Sequence, residues 1–167
     1  MNKTKKIFSV LAVIAILLPA FPIIPVFAAT YSGNCGENVI WEYNSETSTL
    51  VIYGNGRMYD FKSGLSPWEK ETGTRIEEIN EVIFKDGISY IGSYCFKRCS
   101  INVLTLPASI TGIGEYAFNT TKRLNINSLE KWFEIDFANA QSNPLSNDTT
   151  LYLNDNKIEN IVIPTTV

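Results

Sequence analysis

Histidine is absent from the 167-residue chain, and that absence decides most of the chemistry open to it. Ser-His-Asp and Cys-His sites need an imidazole to carry the proton, and the common His-containing zinc sites need one as a ligand. Cys35, Cys95 and Cys99 remain as candidate nucleophiles. Three is an odd number, so at least one is unpaired within a monomer. Burial as small apolar fillers is the favoured reading, because 22 residues after Cys95 the corresponding place holds Ala117. A Cys95 to Cys99 disulfide and a reactive thiol are the alternatives.

The other chemical motifs are weak. Gly112-Ile113-Gly114 lacks the third glycine and the following helix of a dinucleotide fingerprint. Asn154-Asp155-Asn156 has no acid at the far end of a calcium-loop frame, and turn chemistry accounts for it. Glu69, Glu71, Glu77 and Glu78 lie around Pro67-Trp68 with nothing nearby to build a pocket that would shift a pKa, so they read as a solvated face. Trp41, Trp68 and Trp132 suit core packing better than stacking on sugar rings. No catalytic residue, metal site or cofactor is expected.

What the residues do show is a repeat. Sliding the chain by 22 positions lays residues 79–100 over 101–122 with 7 identities, and these fall on Ile79, Asn80, Ile88, Ile91, Gly92, Tyr94 and Phe96, mostly residues that a core would take. A period of roughly 20 to 29 residues with one short strand per unit is the spacing of a leucine-rich solenoid. Val82-Ile83-Phe84 and Leu104-Thr105-Leu106 each turn one residue outward between two turned inward. Stacked as parallel ladder strands about 4.8 Å apart, they set Ile83 beside Thr105 on one sheet face. Phe96 and Phe118 return the chain into the core, with Gly92 and Gly114 at turns that a side chain would obstruct. A third strand at Leu124-Asn125-Ile126 arrives two residues early, and Leu129, Trp132, Phe133 and Ile135 are then spaced for a short helix with a buried stripe.

Ile-Gly-x-Tyr-x-Phe followed by a strand ending in Leu-Pro resembles the BspA-like leucine-rich repeat family. The residues that carry the resemblance are Ile91-Gly92, Phe96, Cys99, Leu104 to Pro107, Ile113-Gly114 and Phe118. It implies an inward Cys99 and an amino-terminal cap built from residues 32–36, Trp41, Gly54-Asn55-Gly56 and Pro67-Trp68. It also implies a variant repeat marked by Trp132, Asn143-Pro144-Leu145 and Leu151-Tyr152-Leu153-Asn154. A secreted or cell-surface bacterial binding protein, adhering to host or matrix protein, is the implied function.

The chain outside the repeat fits that organisation. Lys3, Lys5 and Lys6, an apolar run over residues 7–18 and small residues near Ala28 read as a cleaved signal peptide over residues 1–28. A membrane anchor is the alternative, but Pro19, Pro22 and Pro25 interrupt it and the apolar run is shorter than a span, so no membrane span is expected in the mature chain. Residues 29–78 form a hairpin and linker, with Val39, Trp41 and Tyr43 inward on one strand, Leu50, Ile52 and Tyr53 on the return, and a turn at residues 44–48. A hairpin of different sequence is what a solenoid needs over its first coil. Repeats occupy residues 79–167: units 79–100 and 101–122, a variant unit 123–157 and an incomplete repeat 158–167. Because the sequence stops before that last coil can return, a longer natural chain is expected.

The expected fold is therefore a β-rich solenoid of α+β character, an irregular leucine-rich repeat with parallel ladder strands and an amino-terminal β-hairpin cap. Without the leader, 11 basic residues face 17 acidic ones, a net charge of −6 that argues against nucleic acid as partner. The partner expected is an extracellular protein or a surface glycan. Outward positions of the sheet face give the candidate contacts, Ile83, Thr105, Asn125 and Val162. A targeting or spacer region of a larger exported enzyme, and a glycan-binding module, are the alternatives.

Overall fold

The computed structural model describes residues 29–63, 65–71, 78–145 and 148–159. Residues 1–28, expected to be a leader, and Val162 lie outside the described residues. Twelve strands follow in chain order: β1 (Thr30–Asn34), β2 (Val39–Asn44), β3 (Thr49–Gly54), β4 (Gly56–Arg57), β5 (Glu78–Phe84), β6 (Ile88–Ile91), β7 (Ser100–Leu106), β8 (Gly112–Ile113), β9 (Thr120–Ile126), β10 (Asp136–Phe137), β11 (Thr150–Leu153) and β12 (Asn156–Lys157). Two short helices, α1 (Pro67–Glu71) and α2 (Leu129–Phe133), and one turn of 3-10 helix complete the described elements.

The recurring aliphatic position becomes a ladder. Leu50, Val82, Leu104, Leu124 and Leu151 stand in register across β3, β5, β7, β9 and β11, which pair in parallel, and all five are buried. One residue further on, Val51, Ile83, Thr105, Asn125 and Tyr152 form the opposite row, half-buried on the outer face. Antiparallel β1 and β2 extend this sheet at one end and β12 at the other, giving eight strands in the order β1-β2-β3-β5-β7-β9-β11-β12. The third strand's early arrival is absorbed where the sequence places it, since Leu104 pairs with Leu124.

A second sheet, in the order β10-β8-β6-β4, closes the other side. It was not foreseen, and neither was the docking of residues 56–61 along it. Gly56, Met58 and Phe61 donate their amides to the carbonyls of Gly87, Tyr90 and Ser93. Between the sheets runs an aromatic column: Trp68 stacks on Phe96 at 4.9 Å and Phe96 on Phe118 at 5.6 Å, with Trp41 edge-on to Trp68. Trp68 and Ser66 are fully buried, and Glu69 is half-buried and accepts hydrogen bonds from Ser66, so the stretch around Pro67-Trp68 is not uniformly a solvated face.

Three local expectations need correction. Phe133 is 58% exposed, because α2 ends there and only Trp132 and Ile135 complete the buried stripe, with Leu129 partly covered. Tyr53 pairs with exposed Ile40 on the outer face of the hairpin, while Leu50 and Ile52 turn inward. Strand β5 begins at Glu78, inside the stretch read as a linker. The glycines stand at turns that a side chain would obstruct, as expected, while the left-handed residues of the repeats are Tyr94 (φ 60) and Tyr116 (φ 50). Gly92 and Gly114 are required sterically: a Cβ at Gly92 would be driven into the carbonyl oxygen of Tyr59, and one at Gly114 would lie 2.5 Å from the Ser93 amide nitrogen.

Candidate functional site

Ile83, Thr105 and Asn125 come together in one groove. Because β5, β7 and β9 pair in strict register there, Ile83 neighbours Thr105 and Thr105 neighbours Asn125 across the outer face of the sheet. The groove, about 330 Å³, opens at the carboxyl ends of these strands. Phe84, Leu106, Pro107 and Ile126 border its floor, Lys85 and Asp86 form one rim, and Asn127, Asn154 and Asp155 form the other. Val162 lies outside the described residues.

The wall made by Asn154 and Asp155 has a local cause. Leu153 pairs with Asn156, leaving a two-residue hairpin loop whose residues both have positive φ, 49° and 63°. Asn and Asp are the side-chain-bearing residues that tolerate this conformation best. The turn is then tied over the sheet: the Arg123 guanidinium donates to Asp155 at 2.7 Å, Asn125 Nδ2 donates to the same carboxylate oxygen at 3.1 Å, and the Asp155 amide donates back to Asn125 Oδ1 at 3.0 Å. Arg123 also lies 3.8 Å above the Tyr152 ring. Sequence reasoning found Asn125 but missed Arg123, Tyr152 and Asp155. Period-2 alternation does put Arg123 and Asn125 on one face, whereas the fold of the turn back over the sheet is a tertiary event with no local signature.

One lysine, two aspartates and three asparagines thus share the lining with Ile83, Thr105 and Pro107. Such a lining offers amide donors and acceptors beside apolar groups. Among the described residues no group of three His, Cys, Asp or Glu side chains could hold a metal ion, and no helix is long and apolar enough to cross a membrane.

The three cysteines are buried thiols without a disulfide. Burial pushes Cys35 and Cys99 up to about 12 and Cys95 well above its ordinary value. Low thiolate content is the opposite of what a nucleophile requires. Trp41, Trp68 and Trp132 are also buried, which removes them as platforms for sugar rings.

Residues 69–147 match the BspA type leucine rich repeat region in 6 copies. The repeats are of the BspA leucine-rich type. No curated protein matches the chain. Among solved structures, a leucine-rich repeat protein from Eubacterium ventriosum is similar, at 17% identity and a TM-score of 0.45, over 76% of this chain. The chain spans 45% of that protein's length. Leucine-rich repeats of BspA type suggest a protein-interaction module, and the groove lies on the sheet face that these repeats build.

Proposed function

We propose that the chain is a secreted or cell-surface module of bacterial type that binds an extracellular protein, with adhesion as its role and no reaction of its own. The observation that carries this reading is the convergence of Ile83, Thr105 and Asn125, one from each successive BspA-type repeat strand, in a single groove. Repeats stacked in this way build a solenoid, for which the antiparallel β1, β2 and β3 serve as the amino-terminal cap and residues 79–167 as the repeat array. Export rests on the signal-peptide pattern of residues 1–28.

The groove's size supports a protein partner. About 330 Å³ holds a side chain or two, and interfaces draw most of their energy from a few such anchors ringed by polar contacts. Val162, by its place in the sequence pattern, is proposed as a fourth contact. The test is site-specific photocross-linking to purified host and matrix proteins. A photoreactive residue at Ile83 or Asn125 should capture a partner that one at Glu130, exposed on α2, does not. Equal capture from all three positions, or from none across the panel, would remove the reading.

A further inference from the structure

The four-stranded sheet carries a second cleft, about 410 Å³, where residues 55–60 pass Tyr90 and the loop holding Glu37 and Asn38. We propose that this cleft is a binding site for a neutral saccharide, independent of the groove on the larger sheet. Its groups are arranged beforehand. The Asp60 carboxylate accepts from the Ser93 amide at 2.8 Å and from the Tyr90 hydroxyl at 3.1 Å, and the Arg57 guanidinium lies 3.8 Å over the Tyr90 ring. A carboxylate can accept further bonds beyond those two, and a guanidinium resting on a ring keeps its N–H groups at the edge for donation. Fixed groups lose little freedom on binding, which favours even a weak ligand.

The chemistry selects a polyol. Glu37 and Asp60 accept, Arg57 donates, and the amides of Asn38 and Asn55 do both. Adjacent hydroxyls on a sugar ring donate and accept at once, so they satisfy such a mixed lining. Tyr59 is 53% exposed and lines the cleft, so its ring is available to the apolar C–H face of a sugar. Two carboxylates against one guanidinium disfavour an anion. The single aliphatic lining residue, Met58, is buried to 3% exposure, so a protein partner would find no anchor pocket here.

Amide-detected NMR titration of the whole chain tests the site, using cello-, xylo- and manno-tetraose with a sulfated tetrasaccharide for comparison. One or more neutral sugars should shift the signals of residues 55–60 and Tyr90 with a Kd of about 1 mM. Tyr59→Ala, whose melting should match wild type, should weaken that binding at least about tenfold. Thr105→Arg on the other sheet should leave it unchanged, which separates this site from the protein-binding groove. No shift with any neutral sugar, tighter binding of the sulfated one, or full retention by Tyr59→Ala would each overturn the proposal.

Discussion

Phe96 and Phe118, one repeat apart, stack with their ring centroids 5.6 Å apart and their planes 4° from parallel. Both are buried, and Trp68 continues the column on the far side of Phe96. We predict that Phe96→Ala or Phe118→Ala costs about 3 to 5 kcal/mol, because each leaves a cavity its neighbours cannot fill. Thr105→Ala, on the outer face, should change stability by less than about 0.5 kcal/mol. Chemical denaturation of the three variants measures this, and equal losses for Thr105 and Phe118 would reverse the assigned strand faces.

Gly114 is tested by adding one methyl group. Its Cβ would lie 2.5 Å from the Ser93 amide nitrogen and 2.6 Å from both the Ser93 and Tyr90 hydroxyl oxygens, and the backbone nitrogen cannot swing away. Gly114→Ala should destabilise by about 1 to 3 kcal/mol, the usual range for forcing atoms into a filled space. Unchanged thermal unfolding would mean that the two coils are not packed this closely.

Asp60 joins the amino-terminal segment to the first repeat. Burial raises its pKa, but hydrogen bonds from Ser93 and Tyr90 and the charge of Arg57 outweigh that, and the net shift is downward from 3.8. A carboxyl whose folded value is depressed stabilises above its unfolded pKa and loses that contribution as pH falls through the folded value. Wild type should therefore exceed Asp60→Asn in stability at neutral pH, by a margin kept small by solvent screening, and the gap should close below about pH 4. A gap of the same size at pH 7 and pH 3 would exclude the carboxylate as its source.

The cysteines give a chemical readout of the core. With Cys35 and Cys99 raised to about 12 and Cys95 higher than its ordinary value, all three stay protonated and shielded at pH 8. A chromogenic disulfide reagent should react with them only as the protein unfolds, and denaturant without reductant should expose three thiols. Rapid reaction of the native protein, or a single thiol in denaturant, would contradict the buried, unbridged arrangement.

Much of the ladder was legible because two periodicities coincide in it. The 22-residue spacing aligns the units and the two-residue alternation assigns faces, so Val82, Leu104 and Leu124 could be set inward and Ile83, Thr105 and Asn125 outward from residue types alone. The second sheet was not legible, since β4, β8 and β10 have two residues each and no period can be read from so few. Residues 56–61 dock there through backbone amides, which the sequence does not encode by side-chain type. Tyr94 and Tyr116 take a left-handed conformation that tyrosine rarely adopts, so nothing in their identity marked the turn. Of the groove, the floor followed from alternation, but the wall of Asn154 and Asp155 depends on how the last hairpin folds over Arg123 and Asn125.

Binding through the outer face of the repeat strands is tested most directly by Thr105→Arg, which fills the middle of the groove without touching the buried ladder. Surface-immobilised partner, identified by cross-linking from Ile83, would be titrated with wild type and variant after confirming equal melting temperatures. The variant should bind at least about tenfold more weakly. Equal affinity of the two proteins would place the interface elsewhere and contradict the account.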